Sequence, residues 1–212
     1  MNMPKAQRGA VLLVGLIILM TAMAAGLMAL FGQRMGEARK ELQTVRALTT
    51  AKEALLGRSV SEPAPGSRPG ELPCPDRHAV GSGLEGVESA NCAPNTLGRL
   101  PWKTLGLPDL RDGYGERLWY ARSVRFRNHA RYTSPAGPLN PDTAFGQITV
   151  RSSDRNNIPY LAASPAENGT GAVAVIIAPG PPIRRNDNLQ QNRVTANYLI
   201  ASHYLDCWGT AG

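Results

Sequence analysis

The chain has 212 residues, a formal net charge of +7 and a pI near 9.7. Only 6% of residues are aromatic, which excludes a large aromatic-rich core, and beyond an N-terminal helical arm about one small domain remains. The basic balance suits nucleic acid or anionic lipid, yet the charges are dispersed. Their densest run, Arg122, Arg125, Arg127 and Arg131, alternates along an expected strand and its exit. It reads as a solvated face rather than a binding patch, and nucleic acid stays open as a partner.

Residues 1–9, MNMPKAQRG, form a short leader carrying Lys5 and Arg8. Residues Ala10 to Phe31 follow as AVLLVGLIILMTAMAAGLMALF, without a charge. As a helix this run would reach roughly 33 Å, against a hydrocarbon core of about 30 Å. Positive charge ahead of it holds the N-terminal end in the cytoplasm and places the C-terminal bulk outside. Three readings are open. A secretory signal would use the Ala22-Met23-Ala24 pattern for cleavage. A generic anchor would stay uncut. A prepilin-type leader would be cut between Gly9 and Ala10, leaving the apolar segment on the mature protein.

The next segment contains no proline. Met35, Ala38, Leu42, Val45, Leu48, Ala51 and Leu55 recur at spacings of three or four, as on one face of a helix. Of 17 prolines, all but Pro4 lie at Pro63 or later. A single helix from Ala10 to Gly57 is expected, with residues 10–31 in the membrane, 32–57 as an amphipathic continuation and Gly57 as its stop. The expected fold class is α+β: this long helix packed on a small, loop-rich antiparallel sheet, with residues 58–212 as an extracytoplasmic head.

Residues 59–70, SVSEPAPGSRPG, read as a linker. Cys74 and Cys92 then bracket a loop rich in Gly, Ser and Asn. In an oxidising compartment they are expected to form a disulfide, worth roughly 3 kcal/mol by loop entropy. Cys207 is left over, as a free thiol or a competitor for either partner. No C-x-x-C pair is present, and His78, His129 and His203 lack zinc-ligand spacing.

In LPWKTLGLPDLRDGYGERLWYA, Pro101 and Pro108 forbid a long helix, while Gly113 and Gly115 allow a tight turn around Tyr114. Trp102 is expected beneath that turn. Leu118, Tyr120 and Val124 would face one side of a strand and Trp119 the other. Asp109, Asp112 and Glu116 offer an acid–base reading. No nucleophile, metal cluster or phosphate loop accompanies them, so a structural role is expected, with no catalytic residue, cofactor or metal. Farther on, GQITVR (residues 146–151) and AVAVIIA (172–178) read as strands, the second the more buried. Residues 194–205 fit a short helix or a strand equally.

QRGAVLLVGLIILMTAMAAGLMAL with the amphipathic stretch after it resembles the start of type IV prepilins. It is closest in style to minor pilins of the PilX kind and the K-type minor pseudopilin of type II secretion. The LPWKTLGLP segment, with CPD upstream, resembles a recurring segment of prepilin-like proteins, and the DGYG portion resembles the Asp-aromatic-Gly turn of major pseudopilins. The resemblance covers mainly residues 1–57. It implies a non-enzymatic subunit of a type IV pilus or type II secretion filament, cut by prepilin peptidase and methylated. Its partners would be the inner membrane and the helices of other pilin or pseudopilin subunits. Major pilins carry Glu at the fifth mature position, where this chain has Val14, and that departure suits a tip position. Some relatives have Asp-rich loops suggesting calcium; the counterpart here offers Asp76, Glu85 and Glu88, interrupted by Arg77-His78-Ala79, and metal is not expected. The alternative is a single-span anchored or secreted periplasmic ligand-binding protein.

Overall fold

The computed structural model describes residues 5–61, 70–90, 92, 97–123, 126, 146, 148–151, 159–161, 171–185 and 187–205. Side chains are described for all of these except 5–11, 29, 30, 33, 151 and 159–161. The chain divides into two compact units, Met1–Leu42 and Gln43–Gly212.

Helical backbone, α1, covers Lys5–Val60. Within it the fully described stretches are 12–28 and 34–60, and neither is long and apolar enough to cross a membrane. The expected fold class, a long N-terminal helix with a membrane-spanning first half packed on the head, is corrected accordingly. The reason is one of length against composition. Stretch 12–28 is apolar but reaches only about 26 Å, short of a bilayer core. Stretch 34–60 is longer but carries Arg34, Glu37, Arg39, Lys40, Glu41 and further charges. Helical backbone also continues past Gly57, the expected stop, to Val60, and the amide of Ser61 donates to the Gly57 carbonyl at 3.2 Å.

In the first unit the apolar side chains face outward. Leu13, Leu16, Ile17, Ile18, Leu19 and Leu27 are each more than half exposed. Lys40 pairs with Glu37 at 2.8 Å.

The second unit contains five short strands: β1 Leu97–Arg99, β2 Trp119–Arg122, β3 Val150–Arg151, β4 Pro159–Leu161 and β5 Ala174–Ile177. Strands β1, β2 and β5 form an antiparallel sheet in that order, and β3 pairs with β4 separately. The register sets Gly98 and Ile176 on either side of Tyr120, and Arg99 and Ile177 on either side of Trp119. Side chains directly opposite one another share a face of the sheet, so this register sorts the core.

On the Tyr120 face, Ala47, Ala51 and Leu55 of the helix join Leu72, Leu100, Leu118, Tyr120 and Phe126 in one buried cluster. The helical residues stand four apart, on one stripe. Alanine at two of the three positions lets the helix approach β2 closely, and Ala51 is fully buried. The Tyr120 hydroxyl donates to the Pro73 carbonyl at 3.2 Å, and burial pushes its pKa upward.

The Trp119 face is also closed. Leu118, Trp119 and Tyr120 are 1%, 0% and 0% exposed, so β2 is buried on both sides rather than half-buried. The cover comes from residues 195–204, whose helix-or-strand ambiguity resolves into two 3-10 turns, Thr195–Asn197 and Ala201–His203. The expected AVAVIIA strand is β5, whose four residues are half-buried, as are the described side chains 148–150 of the strand it was compared with. The expected GQITVR strand is reduced to an Ile148–Ala172 bridge and β3.

Candidate functional site: an arginine-lined cavity

The residues singled out in the sequence fall into three places. The first is the loop closed by the Cys74–Cys92 disulfide, whose Cα atoms lie 5.9 Å apart. Asp76 is 1% exposed and accepts the amides of His78 at 2.8 Å and Gly86 at 2.7 Å. Glu88 accepts the Cys74 amide at 3.1 Å and faces Arg58 at 3.7 Å. Glu85 accepts the Gly81 amide at 2.9 Å and pairs with Arg117. The three carboxylates are thus spent separately, and no group of metal-ligating side chains gathers among the described residues. Gly86, at φ +83°, sits against Trp102; an added Cβ would lie 2.4 Å from the indole. Trp102 therefore packs on this loop rather than beneath the Tyr114 turn. Arg122 is 3% exposed, not solvated, and its Nη2 reaches both disulfide sulfurs.

The second place is the turn around Tyr114. Asp112 is fully buried. Its Oδ1 accepts the amides of Tyr114 and Glu116, both at 2.9 Å, and its Oδ2 accepts that of Gly180 at 2.9 Å. Gly115 takes φ +82°, which only glycine adopts without strain. From the helix, Gln43 Nε2 donates to the Asp112 carbonyl at 2.9 Å, and the Gly113 amide donates to Thr44 Oγ1 at 2.9 Å. The turn is a clamp joining helix, β2 approach and the end of β5.

The third place was not foreseen in the sequence. On the outer face of β2 lies a cavity of about 210 Å³, lined by Arg99, Arg111, Glu116, Arg117, Arg193, Tyr198 and Tyr204, among others. Arg99 is 1% exposed. Its guanidinium lies 4.0 Å from the Tyr204 ring centroid, 4.2 Å from Trp119 and 4.5 Å from Tyr198. Nη1 donates to the Arg117 carbonyl at 3.1 Å and Nη2 to the Tyr198 carbonyl at 2.7 Å. Among the described residues its buried Nε has no hydrogen-bond partner. Burial lowers its pKa, with the tyrosines opposing, and a guanidinium stays protonated regardless.

Arg117 grips Asp109 with both ends of its fork, at 2.6 and 2.9 Å, and donates to the Tyr198 hydroxyl at 2.8 Å. Burial alone would loosen the Arg117 proton, but Asp109 and Tyr198 outweigh it and the pKa rises. Burial would likewise raise Asp109 and Glu85. Arg117 and Arg111 for the first, and the Gly81 amide with Arg117 for the second, hold both below the usual carboxylate range. Burial raises the Tyr198 hydroxyl pKa, so that ring stays neutral. Arg193 faces Glu116 at 3.3 Å and donates to Gln191 Oε1 at 3.0 Å.

Asp109, Asp112 and Glu116 are each bound to their own donors: Arg111 with Arg117, three backbone amides, and Arg193. The signal that could have exposed the third place was the pairing of Arg99 with Trp119 across β1 and β2. No period marks β1 in the sequence, because glycine occupies its middle position. Gly9 and Ala10 lie outside the residues whose side chains are described, and Cys207, Arg125, Arg127, Arg131 and His129 lie outside the described residues. No protein-family model, no curated protein and no solved structure matches this chain.

Proposed function

We propose that this chain is a non-enzymatic assembly subunit of the minor pilin or pseudopilin class, serving a bacterial type IV pilus or type II secretion filament. The observation that carries the reading is the junction at Gly9 and Ala10, where a short basic leader ending in glycine meets a run of apolar residues without a charge. The exposed side chains of 12–28 support it. Apolar surface of that extent needs lipid or other subunits to cover it. Inner-membrane residence before assembly, with the second unit in the periplasm, agrees with the Cys74–Cys92 disulfide, since such bonds persist in oxidising compartments. Val14 in place of the usual glutamate suits a subunit at the tip, with no subunit beyond it to pair with.

The test is the mature N-terminus of protein isolated from membranes of cells with and without prepilin peptidase. A start at Ala10 that depends on the peptidase is expected. A start at Ala25, or an intact Met1, would overturn the reading in favour of an ordinary exported or anchored domain.

A further inference from the structure

Four guanidinium groups, those of Arg99, Arg111, Arg117 and Arg193, converge on the cavity outside β2, and among the described residues its wall contains a single carboxylate, Glu116. Their described ion-pair partners are three carboxylates: Asp109 for Arg111 and Arg117, Glu85 for Arg117, and Glu116 for Arg193. Among the described residues one positive charge is left in excess. Arg99 is the one of the four with no direct ion pair among the described residues: Glu116 and the tyrosines act on its charge only in part, its two described hydrogen bonds go to backbone carbonyls, and its Nε has no partner there. A cation removed from water in this way is costly unless something neutralises it. The aromatic rings around Arg99 meet part of that need; a full counter-charge would meet the rest.

We propose that this cavity is a binding site for a small oxyanion, a carboxylate or phosphate group held by the guanidinium wall. A volume of about 210 Å³ accommodates such a group together with a few waters. Guanidinium forks match the geometry of planar and tetrahedral oxyanions better than any other side chain. Tyr198, kept neutral, does not oppose the incoming charge. The proposal concerns the second unit alone and stands whether or not the chain enters a filament.

The test uses the full chain in non-ionic detergent, titrated with sodium phosphate and separately with sodium acetate at constant ionic strength, and followed by arginine side-chain NMR signals. Saturable shifts of the Arg99 Nε–H signal with either probe are expected. Phosphate alone, acetate alone or both would identify the group preferred. Glu116→Gln removes the carboxylate of the described wall and should tighten binding about fivefold, whereas Arg111→Gln should weaken it by a similar factor. A wall that was merely structural would not give shifts of opposite sign. Absence of saturation by both probes up to 50 mM, or binding indifferent to both substitutions in folded protein, would overturn the proposal.

Discussion

The amide of Gly180 donates to Oδ2 of Asp112 at 2.9 Å, across 68 residues of sequence. The other oxygen of the same carboxylate already receives the amides of Tyr114 and Glu116. A single buried side chain therefore fixes both a local turn and the chain leaving β5. Three backbone amides thus fill three of the roughly four acceptor sites that a carboxylate offers.

Asp112→Asn should consequently be harmful in spite of its near-identical shape. The amide group can satisfy either Oδ1's donors or Gly180, but the NH₂ end then faces another N–H. A loss of about 1–3 kcal/mol is expected. Asp112→Ala, which orphans three part-buried amides, should cost more. Urea unfolding of the full chain in detergent measures both. Equal stability of the Asn variant and the wild type would show that Gly180 does not depend on this bond.

Arg99 and Trp119 face each other across β1 and β2 because the register sets them opposite. Lysine at 99 would keep the charge but lose the flat group that stacks on three rings and reaches two carbonyls. Arg99→Lys is expected to cost on the order of 2 kcal/mol. The near-UV circular dichroism of Trp119 and Tyr204, whose ring centroids lie 5.5 Å apart, should weaken with it. An unchanged spectrum and melting point would mean that the stack contributes little.

The parts of this molecule that could be read in the sequence are those written in local periods. Of the stripe read in the sequence, Ala51 and Leu55 of the second unit are buried and Leu48 packs against them, whereas Val45 is exposed and the core position falls to Ala47, which the spacing did not include; the turn glycine Gly115 and the pairing of two nearby cysteines were legible too. The membrane-spanning length assigned to the N-terminal helix was not secured by the same reasoning: among the described residues no helix is long and apolar enough to cross a membrane. The Arg99 cavity was hidden for a different reason. It is assembled from β1, the Asp109–Arg117 loop and residues 193–204, and only the sheet register brings these together. Arg122 was misplaced because alternation assigns a face but does not say whether a second layer covers it.

The disulfide closes a loop that has little regular structure of its own, between Pro73 and Cys92. Replacing both cysteines by serine should lower stability by about 3 kcal/mol. Reducing the wild type with dithiothreitol should bring it to the level of the double variant. Because Arg122 lies against both sulfurs, the variant should lose more when Arg122 is retained than when it is also changed to Met. The double-mutant cycle reads this directly. Strict additivity of the two changes would show that the guanidinium and the disulfide do not interact.

Acid should unfold the second unit through Asp109 and Glu85. Both are held below the usual carboxylate range in the folded chain, so the unfolded chain takes up protons first as pH falls. Their contribution is therefore complete above about pH 4–4.5, the unfolded values, and is lost as pH drops through the lower folded values. Melting temperature should be flat from pH 7 to 5 and should fall steeply below 4. In the Glu85→Gln/Asp109→Asn double variant the neutral-pH melting temperature should be lower, because Arg117 loses both carboxylates. Its further decline between pH 5 and 3 should be shallower, because two of the groups that drive it are gone. Differential scanning calorimetry across that range separates the two effects. Parallel curves for the variant and the wild type would place acid sensitivity in other carboxylates and leave the Arg117 network as a neutral-pH contact only.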